Sequence, residues 1–301
     1  MIFFERLLQN RKFILRDFFV SLGFLFFLIE LISYFFPIFS SSRLGDVNVL
    51  QLILIVSIFF GFFKNIPKLS FTSKIRNKDS HISIRIGDVF KSNGSIVVPI
   101  NDYFDVSLGG NVKKARSILS KLISDYYSHK EDHLINDIKQ KIDLNKTPYS
   151  SGTVIEIEQG VKKFFLLVNS KRNDNNRVYS NIDDFMTSLN KLWDYLANET
   201  GRDECVAIPL INTQHSRNSD ITRDVVVKQI IDTFVEAMKY KMVCENLVIY
   251  IYPNDFKKSK LDFESLCKYL DFKCLNYKDI KFDPKSEGTE IEASSISKII
   301  N

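Results

Sequence analysis

A metal-ligand or disulfide framework is missing from this sequence. Its four cysteines, Cys205, Cys244, Cys267 and Cys274, contain no C-x-x-C pair, and its four histidines do not join them at ligand spacing. Both zinc ribbons and stapled secreted folds are thereby excluded, and scattered thiols suit a reducing compartment. No stretch of the polar part interleaves basic residues with aromatics, so nucleic acid is not an expected partner despite a net charge of +5. There is no internal repeat. No small-residue cleavage pattern follows the first apolar run, which argues against a removable leader.

What is present is hydrophobicity concentrated at one end. Phe18 to Phe39 carries a single charge, Glu30, and Val47 to Phe63 carries none. About 20 apolar residues cross roughly 30 Å of hydrocarbon as a helix, so these runs are expected to form a two-helix transmembrane hairpin over 18–63, with spans 18–39 and 47–63. SSRLGD leaves room only for a tight turn between them. Arg6, Arg11, Lys12 and Arg16 precede the first span, and Lys64, Lys68, Lys74, Arg76 and Lys78 follow the second, against Arg43 alone in the turn. That bias places both termini in the cytoplasm, with a basic N-terminus at 1–17 and a basic linker at 64–80. Much of the excess positive charge is then available to anionic head groups. Glu30 is costly at mid-bilayer, at least about 2.5–3.5 kcal/mol when ionised. It calls for a polar contact between protomers, or for a neutral acid bonded to Ser57 or backbone.

Beyond the linker the pattern changes to strands alternating with helices. HISIRIGDVF reads as a strand with Ile82, Ile84 and Ile86 on one face, stopped at Gly87-Asp88. SIVVPI is a second strand, and helical spacing follows from Ile118 through Ile142. GTVIEIEQGVKKFFLLVNS reads as a hairpin. NIDDFMTSLNKLWDYLANET is a helix capped by Asn181, with Phe185, Leu189, Leu192, Trp193 and Leu196 on its stripe. VAIPLI and LVIYIY are strands apolar without alternation; between them lies a helix capped by Thr222, and after them a short helix, FESLCKYL. Uninterrupted apolar strands are covered on both faces, so 81–280 is expected to be an α/β domain with a mixed sheet and helices on both sides. Residues 281–301 read as a loose tail. Ligands in such sheets sit beyond the carboxyl ends of the strands. The informative residues are Gly87-Asp88, Pro99 to Gly110, Asn169-Ser170 and Asn212 to Asp220.

These strand ends resemble the macro domain, which binds ADP-ribose and its relatives. IRIGDV resembles the family's opening strand and Gly-Asp-Ile turn, which makes Asp88 the adenine contact with Val89 lining the base. VVPIN resembles the Asn-Ala-Ala-Asn strand end, with Asn101 toward the distal ribose and Val98 in place of the first Asn. LGGNV resembles the phosphate loop, giving Gly109, Gly110, Asn111 and Val112 the diphosphate; Asn111 tolerates the left-handed backbone that Gly favours. AIPLINT resembles the strand before the second phosphate loop, where Asn212, Thr213 and Gln214 replace a glycine-rich turn. With the hairpin, this ordered set resembles the membrane-anchored macro-domain effectors of bacterial Thoeris antiphage defence. The resemblance implies a homo-oligomer in the bacterial inner membrane that binds an ADP-ribose-derived signal from a partner TIR-domain enzyme and disrupts the bilayer. It implies no cofactor, no metal and no catalytic residue. The alternative is a membrane-anchored ADP-ribosyl hydrolase using Asn101; with no paired carboxylate or nucleophile beside it, binding without turnover is the expected activity.

Overall fold

The structure, a computed structural model, describes residues 11–35, 47–107, 117–173, 178–199, 205–211, 222–259 and 261–278, together with Leu7. The chain divides into two compact units. One is built on the described residues up to Phe71 with Arg85–Gly87, the other on Thr72–Ile84 and the described residues from Asp88 onward.

The first unit is a pair of helices, α1 (Arg11–Phe35) and α2 (Val47–Lys64). Ile53, Ser57 and Gly61 recur four apart on the buried face of α2. A Cβ on Gly61 would stand 2.9 Å from the Ile14 carbonyl oxygen and 3.1 Å from the Phe18 nitrogen, so the backbones meet where the side chain is smallest. Asp17 is buried beside this crossing, where it accepts Asn65 Nδ2 at 3.0 Å and pairs with Arg16 and Lys64. The remaining faces are apolar and exposed: Phe19 is 63% and Leu52 62% accessible, with Phe24, Phe27, Ile58 and Phe63 similar. Among the described residues no helix is long and apolar enough to cross a membrane. The structure thus gives the helical pair but not the two expected spans, and residues 36–46 lie outside the described residues. Glu30 is exposed, and the buried Ser57 hydroxyl has no hydrogen-bond partner among the described residues, so the Glu30 to Ser57 bond is absent.

The second unit is organised by one sheet of order β1-β2-β8-β7-β3-β5-β4, with β6 pairing β5. Its strands are β1 (Ser70–Lys74), β2 (His81–Ile86), β3 (Ser95–Asn101), β4 (Val154–Gln159), β5 (Lys162–Arg172), β6 (Val178–Tyr179), β7 (Cys205–Pro209) and β8 (Asn246–Ile251). β3 runs parallel to β5 and β7, and β7 to β8, whereas β4 and β6 run antiparallel to β5. The sheet is mixed, as expected. Phe164 to Val168 of β5 are fully buried, and each large apolar side chain so placed contributes about 1.5–3 kcal/mol. Opposite β3 the register slips: Ile100 faces Val168 but Asn101 faces Ser170, so Asn169 is an extra residue.

The helices are α3 (Ile118–Tyr126), α4 (Glu131–Lys141), α5 (Ile182–Glu199), α6 (Arg223–Ala237), α7 (Pro253–Ser259) and α8 (Phe263–Leu275). All five apolar stripe residues of α5 are fully buried, and Asn181 Oδ1 accepts the Asp184 N–H at 2.7 Å as its cap. Thr222 stands at the head of α6, but its hydroxyl donates to Asp224 instead of capping the helix. Apolar spacing runs unbroken from Ile118 to Ile142, yet the helix breaks where Ser128 and His129 take φ of 50° and 64°. The break opens a cavity of about 190 Å³ lined by Tyr126, Tyr127, Lys130, His133, Asp137 and Gln159. Gln159 ends β4, which is antiparallel, so this cavity lies away from the carboxyl ends of the parallel strands. Ser70–Lys74, inside the segment read as a linker, is an edge strand.

Candidate functional site

β2 ends at Ile86, and the chain turns through Asp88 into a short 3-10 helix, Val89–Lys91. Asp88 Oδ1 accepts the Phe90 N–H at 3.1 Å, which is ordinary capping chemistry. Its Oδ2 holds the Lys121 ammonium from α3, and that ammonium also lies 5.3 Å from the centroid of the Phe90 ring. The adenine acceptor implied by the resemblance therefore already serves two donors. Val89 is 3% exposed and packs in the core cluster with Ile100 and Phe104.

β3, separated from β2 in the sheet by β8 and β7, ends at Asn101. Its Oδ1 accepts the N–H groups of Tyr103 and Asp105, each at 3.0 Å, so the side chain closes the loop that follows it. Phe104 in that loop has φ of 50°, in the left-handed region uncommon for a bulky residue, and packs edge-on against Tyr149 at 5.5 Å. Asp102 is nearly buried. Its N–H donates to Ser170 O at 3.0 Å, its carbonyl accepts Tyr149 N–H at 2.7 Å, and its Oδ1 accepts Arg172 N–H at 2.9 Å. Burial pushes the Asp102 carboxyl above its ordinary range, and the Arg172 N–H works against that shift.

β5 supplies the opposite wall. The Arg172 guanidinium donates to Asp105 Oδ2 at 3.1 Å and stands 4.2 Å from the Tyr103 ring centroid. Lys171 pairs with Asp184 of α5 at 2.7 Å, and that bond holds its ammonium pKa above the ordinary value. Three strand ends thus each carry an internal ion pair: Asp88 with Lys121, Asp105 with Arg172, and Asp184 with Lys171.

Of the residues expected at the site, Asp88, Val89 and Asn101 fall within the described structure. Gly109, Gly110, Asn111 and Val112 lie outside the described residues, as do Asn212, Thr213 and Gln214. Tyr103 and Asp105 fall inside the marked stretch Pro99 to Gly110 but had no role assigned, and Lys121 and Arg172 were not marked. Arg172 had a signal, since it closes a strand whose carboxyl end was already marked at Asn169-Ser170.

A mixed sheet with helices and with polar loops at the carboxyl ends of its parallel strands makes the second unit an α/β domain of macro-like type. A family model described as Thoeris protein ThsA, Macro domain, matches residues 82–252, more than half of the chain. The chain belongs to that family. The Thoeris protein ThsA of Bacillus amyloliquefaciens (strain Y2) is 26% identical over 200 residues, covering 60% of this chain and 65% of the relative. The match thus spans a little under two thirds of that protein. Among solved structures, the Oceanobacillus iheyensis macrodomain with MES bound is 13% identical with a TM-score of 0.47, covering 68% of this chain and 99% of that one. The same macrodomain with ADP is 16% identical with a TM-score of 0.43, covering 68% and 100%.

Proposed function

We propose that the chain is an antiphage effector whose macro domain binds an ADP-ribose-derived signal made by a partner TIR-domain enzyme. Binding then drives assembly of copies of the chain in the bacterial inner membrane, with both termini cytoplasmic, and the bilayer is disrupted. The observation that carries this reading is membership of the Thoeris macro-domain family over 82–252. The membrane part draws support from α1 and α2, whose outer faces expose phenylalanine, leucine and isoleucine. So extensive an exposed apolar surface marks a contact with a bilayer or with another protein.

Binding without turnover is the form of the reading we prefer, and it needs no cofactor. The oxygen of the Asn101 side chain is engaged by two backbone N–H groups, which suits a loop-holding role better than activation of water. The test is calorimetric titration of ADP-ribose into the full chain in lipid nanodiscs, with chromatography of the ligand afterwards. Saturable binding and intact ligand are expected. Absence of binding would sink the sensor reading, and product release abolished by Asn101→Ala would establish the hydrolase instead. Flotation of the full chain with anionic vesicles tests the membrane part; recovery with the aqueous fraction would overturn it.

A further inference from the structure

We infer that Arg172 is a positioning residue of the ligand site: it clamps the loop from Asn101 to Ser107 onto the end of β5 and so fixes the Asn101 side chain. The inference rests on the nucleotide reading above for its consequence, but the clamp itself is a matter of geometry.

Two groups of Arg172, its backbone N–H and its guanidinium, make three contacts with successive parts of the loop. Its backbone N–H donates to Asp102 Oδ1 at 2.9 Å, its guanidinium lies 4.2 Å from the Tyr103 ring centroid, and its NH1 donates to Asp105 Oδ2 at 3.1 Å. The last residue of the loop is tied in the same way, because Asp105 Oδ1 accepts Ser107 N–H at 2.9 Å. One carboxylate therefore links the guanidinium to the far end of the loop.

The loop requires such a clamp. Phe104 is held at a φ of 50°, a conformation that surrounding contacts must impose on a non-glycine residue. Asn101 sets the turn from within, through its two backbone acceptances, but nothing in those bonds joins the loop to a neighbouring strand. Arg172 does, beside the Asp102 N–H to Ser170 O bond. Its side chain and that of Asp105 are 27% and 30% exposed, so the pair stands at the rim and not in the core. Removing it leaves the buried strands intact. A lysine keeps the charge, but its compact ammonium cannot both lie over the Tyr103 ring and donate to Asp105 as the extended guanidinium does.

The experiment uses the full chain in nanodiscs and four variants: Arg172→Gln, Arg172→Lys, Asp105→Asn and the Gln/Asn double. Amide hydrogen exchange of the 101–107 peptide is read without ligand, and ADP-ribose affinity by calorimetry. For Arg172→Gln, exchange is expected to rise about tenfold in that peptide alone, with affinity falling about tenfold. Arg172→Lys should recover only part of both. Asp105→Asn should lose a similar amount, and the double variant no more than either single, as one linked unit requires. Unchanged exchange in Arg172→Gln overturns the inference. So does tighter binding by Asp105→Asn together with weaker binding by Arg172→Gln, since the guanidinium would then be touching the nucleotide directly. Failure of the parent chain to bind ADP-ribose would defeat the nucleotide reading, and the exchange result would still decide whether Arg172 clamps the loop.

Discussion

Asp88 holds the Lys121 ammonium through one carboxylate oxygen while its other oxygen accepts the Phe90 N–H. An exocyclic amine arriving at Asp88 would meet a position already filled by a cationic donor. The Lys121 side chain is 37% and that of Asp88 23% exposed, a setting in which an ion pair is worth about 0.2–1 kcal/mol. Lys121→Met is therefore expected to strengthen adenine-nucleotide binding by up to about fivefold. Calorimetry on the variant and parent decides it; weaker binding would mean that Lys121 itself attracts the nucleotide.

Asp102 gives a pH dependence with a definite sign. Because burial raises its carboxyl pKa from 3.8, the folded chain holds that proton more tightly than the unfolded chain does. Stability then falls as pH rises from 3.8 to the raised value, and the penalty of the charged form is fully present above it. Asp102→Asn keeps an oxygen for the Arg172 N–H and removes the charge. Its melting temperature at pH 7 should equal or exceed the parent's, with a flatter profile in acid; a fall of several degrees at pH 7 would contradict the assignment.

The single tryptophan, Trp193, is fully buried on α5, donates its indole N–H to Thr233 Oγ1 at 3.0 Å and packs edge-on against Phe234. Thr233→Val strands that N–H without a partner at nearly constant volume. The expected cost is about 1–3 kcal/mol. Urea unfolding followed by tryptophan fluorescence measures it, and an unshifted midpoint would show that the bond contributes nothing.

Gly61 controls the approach of α1 and α2, since a Cβ there meets the backbone of Ile14 and Phe18 and not a movable side chain. Gly61→Ile should force the helices apart. Energy transfer between dyes at the helix ends would drop in the variant; an unchanged signal would mean the crossing does not depend on Gly61.

Much of the second unit was legible because its core strands are apolar without interruption. FFLLV and VAIPL could only be buried on both faces, and the stripe of α5 named its own core residues. The break at Ser128-His129 was hidden because the apolar spacing continues across it, and nothing in a serine-histidine pair announces a positive φ. β1 was hidden because SFTSK is short and polar and stands in a basic segment. At the site, the apolar runs end at Asp88, just past β2, and at Asn101, the last residue of β3, and both positions could be named from the sequence. Their partners were not legible: Lys121 reaches Asp88 across 33 residues of chain and Arg172 reaches Asp105 across 67, distances that only the sheet order brings together.

The extra residue in β5 sets which cation serves which wall. Up to Val168 the strand keeps step with β3; after Asn169 it is out of phase by one, and it is in this shifted frame that Lys171 turns to Asp184 and Arg172 to Asp105. Strands alternate their faces with a period of two, so deleting Asn169 would exchange the two side chains without altering either. The lysine would then face the loop and the arginine the helix. The identity of the rim is thus written less in the two basic residues than in the parity of the residues before them.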